Sequence, residues 1–284
     1  MFEKVNKYHP DKIADRIAGA IVDYAYTLYE NPKIAVEVLI GHRHCFIEIE
    51  TDLPSDYLNL NVITPMVTRI ANYDKHIVTT VVCAPQDKHL SDNQKELHCG
   101  DNGIFCGMPV NEEEKDLKDL AIVFGDVFSS DGKYIYDAYN KTLAICQSKA
   151  VDKIVRETIY DKLGMYDNRL VINPLGYWTG GIDVDTGATN RKLGSDMGRA
   201  ATGGGLHGKD LSKADVSVNI FCHLLANRID EKVEALCSIG SDTVKVKIKD
   251  KYNDIPFKEI VAVARTYIDS IGGFEKFAEY GLIR

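Results

Sequence analysis

The 284-residue sequence has no Cys-x-x-Cys pair, no long apolar run and no surplus of basic residues. Each absence narrows the field. The seven cysteines (Cys45, Cys83, Cys99, Cys106, Cys146, Cys222 and Cys237) are odd in number and scattered through apolar segments. That pattern argues against a disulfide framework and reads as buried thiols in a reducing cytoplasm. No stretch approaches the roughly 20 apolar residues of a membrane span. The opening MFEKVNKYHPDK lacks the apolar core of a secretory signal. The expectation is a soluble cytoplasmic protein with no membrane partner. The net charge is −8, from 34 basic and 42 acidic residues. This argues against general nucleic-acid binding, which requires a basic face. At 45% hydrophobic and 27% charged, the composition is that of an ordinary globular protein able to bury a core.

What is present in excess is glycine, and it is concentrated. Asn173 to Asp215 contains ten glycines, at 176, 180, 181, 187, 194, 198, 203, 204, 205 and 208. So many glycines cost backbone entropy that a plain structural loop would avoid. Arg191, Lys192, Arg199, Lys209 and Lys213 lie among them. Glycine lets backbone N–H groups approach a ligand, and fixed cations complete an anion cradle. The stretch reads as a polyphosphate site. The plainer alternative is a long loop with scattered surface charge.

Around this stretch the pattern alternates between helix and strand. Pro10 suits the first turn of a helix, and Ile13, Ile17, Ile21 and Leu28 continue it at helical spacing. This puts His9 and Asp11 at a helix N-terminus, where anions bind well. Strands are expected at 33–40 and 45–51, joined as a hairpin, then a helix over 56–72 and a strand over 76–84. Residues 85–100 are polar and aperiodic, the makings of a mobile loop. The charged run 112–119 reads as a solvated connection, and 120–128 and 134–147 read as strands. A helix over 149–163 stops at Gly164, and a strand over 169–172 leads into the glycine-rich stretch. Ser212 and Asp215 resemble a capping box at the start of a helix over 212–229. Strands over 233–239 and 243–250 precede a helix over 257–271. The fold class is α+β.

The motifs HPDKIAD (9–15), CGDNGIFCG (99–107), NPLGYWTGG (173–181), DTGATNRK (185–192) and GGGLHGKDLSKAD (203–215) occur in one order. Together they resemble the S-adenosylmethionine synthetase (methionine adenosyltransferase) family, and the resemblance reaches the final AEYGLIR. It implies three α+β domains related by pseudo-threefold symmetry and interleaved along the chain. Each has a mixed sheet with helices on one face. Approximate boundaries are 1–100 with a mobile loop near 85–100, a reduced central unit over 101–180, and 181–284 with the phosphate loop. It also implies a homodimer with active sites at the subunit interface, or a tetramer built from it. In the implied reaction, methionine sulfur attacks C5′ of ATP and displaces triphosphate, which is then hydrolysed to phosphate and diphosphate. Magnesium and potassium are the implied ions.

The resemblance carries over residue by residue. Asp11 and Asp215 match magnesium-binding aspartates, and Glu37 the potassium-binding glutamate. His9, Arg191 and Lys209 match the catalytic groups at the polyphosphate, with Lys192 beside them. Methionine recognition falls to Glu48, Gln94 and Lys213, with Asp185 meeting both ATP and methionine. Asp101 and Leu206 match nucleotide contacts. The departures are as informative. The chain is shorter than is usual for the family. Asn6-Lys7-Tyr8 replaces Ser-Glu-Gly before HPDK, and Gly176-Tyr177-Trp178 replaces Gly-Arg-Phe, so Tyr177 or Trp178 is left to stack on adenine. The family's Asp-Ala-Lys nucleotide motif is assigned to Asp116-Leu117-Lys118. The alternative function is a same-fold enzyme with another nucleotide or nucleophile, or a triphosphatase.

Overall fold

The computed structural model describes residues 1–73, 75–95, 97–164, 169–202 and 204–284. It opens with strand β1 (Phe2–Val5) and helix α1 (Pro10–Leu28), then β2 (Ile34–Gly41), β3 (His44–Thr51), α2 (Leu60–Ala71), β4 (Val78–Ala84) and α3 (Lys88–Lys95). The middle holds β5 (Gly103–Gly107), α4 (Glu112–Phe128), β6 (Gly132–Asp137), β7 (Thr142–Gln147), α5 (Asp152–Leu163) and β8 (Arg169–Ile172). The last third runs β9 (Thr186–Ala188), α6 (Leu193–Met197), β10 (Ala201–Thr202), α7 (Ala214–Ile229), β11 (Val233–Cys237), β12 (Thr243–Ile248), β13 (Lys251–Pro256), α8 (Phe257–Ile271) and α9 (Phe274–Ala278).

The strands form three sheets, and the α+β class expected from the sequence holds. Their orders are β1-β6-β7-β8, β10-β5-β11-β12-β13 and β4-β3-β2-β9. Each sheet draws strands from distant parts of the chain. Each also has a long helix against it: α4 on β1 and β6, α7 on β5 and β11, α1 on β2 and β9. Alternation in β2 and β3 explains the choice of face. Ile34, Val36, Val38 and Ile40, with Cys45, Ile47 and Ile49, point into the core. Glu37 and Glu48, directly opposite in register, point out. The core follows that division. The sheets containing β2 and β5 share one cluster with α1, α7 and α8, while the β6 sheet has its own with α4 and α5. The C-terminal tail is pinned by Lys4. Its buried ammonium donates to the carbonyls of Ser195, Tyr280 and Ile283 at 2.7, 2.8 and 2.7 Å.

Several expectations are overturned. Residues 112–128 form one helix, not a charged connection followed by a strand. Asn111 and Glu114 make a full capping box and three acidic residues occupy the first turn, where they oppose the helix dipole favourably. Leu117, Leu120, Ala121 and Phe124 then bury at helical spacing. The middle of 85–100, read as a loop, contains α3. Residues 134–147 lie in two strands, since β6 begins at Gly132 and a turn separates it from β7. The 251–256 segment adds a strand that the sequence reading had not marked. Ser212 does not cap α7. The N-cap is Lys213, with no side-chain cap bond, and the Ser212 hydroxyl donates to Asp210 Oδ1.

Candidate active site

His9 is the N-cap of α1, and its Nδ1 accepts the Asp11 N–H at 3.2 Å. Burial, with Lys192 nearby, lowers the His9 pKa to about 4. The ring is therefore neutral at pH 7, and with Nδ1 as acceptor its proton sits on Nε2. Asp11 is buried behind it. Its Oδ1 accepts the Ala188 N–H at 2.9 Å and its Oδ2 accepts from Lys192 Nζ at 2.5 Å. Arg191 Nε lies 3.7 Å from Asp11 Oδ1. The α1 N-terminus thus holds the chain that follows β9, and with it two cations.

A second carboxylate–lysine pair stands at the start of α7. Lys209 Nζ donates to Asp215 Oδ2 at 2.5 Å. The Lys209 backbone bridges to Ala35 of β2, so the lysine is anchored to the sheet. A Cβ at position 204 would lie 2.0 Å from Asp215 Oδ1; only glycine lets the loop pass this close. Asp215 and Lys209 line a cavity of about 360 Å³ together with Glu37, Glu48, Glu50, Asp101 and Lys213. Thr189, next to Ala188, ties the end of β9 to β2 and to the cavity rim: its N–H donates to Val38 O at 3.1 Å and its hydroxyl donates to Glu37.

The structure therefore brings together His9, Asp11, Arg191 and Lys192 at one helix end, and Glu37, Glu48, Asp101, Lys209, Lys213 and Asp215 around one cavity. Asp185 is exposed just before β9, its Oδ1 accepting the Thr186 N–H at 2.7 Å. Leu206 is fully buried, and its N–H donates to Asn190 Oδ1. Tyr177 is exposed, whereas Trp178 is half-buried and donates through Nε1 to Asn173 Oδ1 at 3.2 Å. The Gln94 side chain lies outside the described part of α3.

Other basic and acidic candidates are placed elsewhere. Arg199 is not part of the anion cradle: its guanidinium donates to Glu114 Oε1 and to Pro109 O. Asp116 and Lys118 sit on α4, and Lys118 pairs with Asp119 at 2.9 Å. Among the described contacts neither meets the glycine-rich stretch. Asp131-Gly132-Lys133, where α4 passes into β6, stands nearer. Asp131 Oδ2 accepts the Gly181 N–H at 2.9 Å, while its buried Oδ1 has no hydrogen-bond partner among the described residues. Burial, reinforced by Asp185 and Asp11, raises the Asp131 pKa to about 6, with the Gly181 bond opposing. The turn's own Asp-x-Lys spacing was the available signal.

A buried set of Lys12, Asp15, Asp196 and His207 was also missed. Asp15, Asp196 and His207 come close enough to hold a metal ion, but the Lys12 ammonium reaches both aspartates at 2.7–3.0 Å. Asp11 and Asp215 are likewise each paired with a lysine at 2.5 Å; their carboxylates are hard oxygen donors, the donor type magnesium shares with phosphate oxygens.

Comparison with known proteins gives four findings. Residues 1–84 match the family described as S-adenosylmethionine synthetase, N-terminal domain. The chain is 28% identical over 289 residues to an S-adenosylmethionine synthase of Mycoplasmopsis synoviae, covering 82% of this chain and 74% of that one. It is 26% identical to one from Helicobacter pylori, covering 80% and 72%. Its fold is similar to that of a solved structure described as an unusual S-adenosylmethionine synthetase from Campylobacter jejuni. The TM-score is 0.75 at 20% identity, over 99% of this chain and 94% of that chain.

Proposed function

The chain is a shortened member of the S-adenosylmethionine synthetase family, and from that premise we propose that it makes S-adenosylmethionine from ATP and L-methionine. The observation that carries the proposal is the pair of carboxylate–lysine contacts, Asp11–Lys192 and Asp215–Lys209. They stand at the starts of two long helices, and Lys209 and Asp215 line the acidic cavity. A thioether is a neutral nucleophile, so its attack on C5′ needs no general base. Catalysis then rests on alignment and on stabilising the charge that grows on the departing triphosphate. Arg191, Lys192 and Lys209 supply fixed positive charge. Neutral His9 can donate from Nε2 to a polyphosphate oxygen. Asp11 and Asp215 would hold magnesium, which supplies Lewis-acid charge to the phosphates when bound. Glu37 is our candidate for potassium. The same cations would hold the triphosphate for hydrolysis to phosphate and diphosphate.

Glu48, Gln94, Lys213 and Asp185 are proposed for methionine, and Asp101 with Tyr177 for the nucleoside. Asp131 and Lys133 replace Asp116 and Lys118 in the nucleotide assignment. The outer sheet faces support a homodimer. Leu39, Phe46 and Val82 are exposed on one sheet, and Ile104 and Leu236 on another. An open cavity of about 420 Å³ is lined by Glu37, Leu39, Phe46 and Glu48, so a second copy covering the face would also close the acidic site. Among the described residues no helix is long and apolar enough to cross a membrane. No disulfide is formed among the described residues, and a reducing cytoplasmic setting is part of the proposal.

The test is incubation with ATP, methionine, magnesium and potassium, following S-adenosylmethionine, phosphate and diphosphate together. Equal amounts of the three are expected. Phosphate without S-adenosylmethionine would overturn the transferase reading and leave a triphosphatase.

A further inference from the structure

Asn190 stands where the two arms of the candidate phosphate site cross. It directly precedes Arg191 and Lys192, and its backbone N–H donates to Asp15 Oδ1 at 2.8 Å. Its side chain reaches into the other arm. Oδ1 accepts the N–H groups of Leu206 and His207, both at 2.8 Å, and Nδ2 donates to His207 O at 3.2 Å. Leu206 and His207 are buried. One amide therefore satisfies three backbone groups that solvent does not reach, and buried groups of this kind require a partner.

Two neighbouring features are fitted to this side chain. Asn190 has a φ of 62°, a left-handed conformation that asparagine tolerates better than most residues. A Cβ at position 205 would lie 2.6 Å from Asn190 Nδ2, and its three nearest atoms would all belong to Asn190. Glycine at 205 leaves room for the amide. The support behind Asn190 is rigid as well. The second oxygen of Asp15 accepts from buried Lys12 at 3.0 Å.

We propose that Asn190 is a positioning residue, which holds the Arg191–Lys192 arm in register with the Lys209–Asp215 arm. The proposal rests on the polyphosphate reading given above. Charge stabilisation works best when the charges are already in place before the reaction begins. Arg191 is largely exposed and Lys192 is attached to α1 through one carboxylate. Among the described residues, the Asn190 side chain supplies the hydrogen bonds that tie that arm to the 206–207 backbone. Asn190 acts through the cations and the loop, not on the reacting atoms.

The test is Asn190→Gly, which keeps the left-handed backbone without strain and removes all three side-chain bonds. Steady-state kinetics and equilibrium binding of magnesium tripolyphosphate are measured on protein shown by melting curves to be folded at the assay temperature. We expect kcat to fall about 10- to 100-fold, the scale of a small misplacement. Tripolyphosphate affinity should weaken while KM for methionine stays within about twofold. Gly205→Ala, which pushes on the same amide from the other side, should reproduce the loss. The double variant should be no worse than Asn190→Gly alone, because the added methyl then meets no amide. Should Asn190→Gly fail to fold, Gly205→Ala alone decides. Wild-type kcat and tripolyphosphate affinity in the deciding variant, or fully additive losses in the double variant, would overturn the proposal. A wild-type protein that does not bind tripolyphosphate would instead sink the functional reading, so the two failures are distinct.

Discussion

Lys12 Nζ lies 2.8 and 2.7 Å from the two carboxylate oxygens of Asp196, and both side chains are completely buried. Its third ionic contact is to Asp15. Burial opposes the lysine's charge, but Asp15 and Asp196 outweigh it and raise the Lys12 pKa. The ammonium occupies the centre of a group that could otherwise hold a metal. It ties α1 to α6, 184 residues away, and so holds the cation-bearing segment from behind.

Lys12→Met is therefore expected to be severely destabilising. It leaves two carboxylates buried without a cation, and breaking a buried pair costs about 3–5 kcal/mol. Urea unfolding of the variant beside the wild type measures this. An unchanged midpoint would mean that Asp15 and Asp196 are neutral in the folded protein and that the network is not ionic.

The two carboxylate–lysine pairs should separate catalysis from folding. Asp11→Asn keeps an oxygen for the Ala188 N–H but loses the charge facing Lys192. Lys209→Ala removes a cation from the cavity. Each is expected to lower kcat by about 10²–10³, the cost of losing a preorganised charge partner, with melting temperatures that still show a folded protein. Wild-type turnover in either variant would refute the site assignment.

Stability should fall as pH falls from about 6 to 4. Burial, with Lys192 for His9 and Lys4 for His223, lowers both histidines to about 4. Both sites are lowered relative to the unfolded chain. Through this window the unfolded state binds two protons that the folded histidines refuse. Asp131 has the opposite sign. Its pKa is raised to about 6, so the folded state keeps one proton that the unfolded chain releases. From these three groups alone, two protons against one contribute about 1.4 kcal/mol per pH unit, with stability rising with pH; Asp23, also raised, adds to Asp131's side, and Glu275, lowered, to that of the histidines. Urea midpoints at several pH values give the slope, and His223→Gln should reduce it. A stability that is constant or rises on acidification would contradict these assignments.

These groups differ in how visible they are in a sequence. The α1 start was legible because Pro10 and the isoleucine spacing are local signals. The pairing of Asp11 with the residues after β9 could be anticipated only through the motif resemblance. Helix α4 was misread because Leu120 to Phe128 is rich in strand-forming residues, while the deciding signal, the Asn111–Glu114 capping box, lies before it. Asp131 was hidden by being a good turn residue. Lys12 and Asn190 were invisible for a different reason. Their roles depend on partners that only the tertiary fold brings together, and neither residue type announces a buried contact.

The outer sheet face should be needed for activity although it carries much of its apolar surface exposed. Phe46 is 51% exposed and lies directly opposite Leu39 in register. Phe46→Asp is expected to leave the monomer fold intact, since exposed substitutions usually change stability by no more than about 0.5 kcal/mol. It should shift the assembly to monomer in sedimentation and abolish turnover at the same time. A fully active monomeric variant would show that the acidic cavity is complete within one chain.

Tyr177 and Trp178 should part company on substitution. Trp178 is held by Asn173, whose side chain also donates to Gln147 O at 2.9 Å. A Cβ at Gly180 would lie 2.8 Å from the indole ring. Trp178→Ala therefore removes packing and one hydrogen bond, and should lower the melting temperature. Tyr177 is 64% exposed and so is accessible to a ligand. Tyr177→Ala should leave the melting temperature unchanged and raise KM for ATP about 5- to 100-fold, the scale of losing base stacking worth about 1–3 kcal/mol. If KM for ATP is unmoved in Tyr177→Ala but rises in a folded Trp178→Ala, the stacking platform is the indole, and the Asn173 bond orients it for adenine.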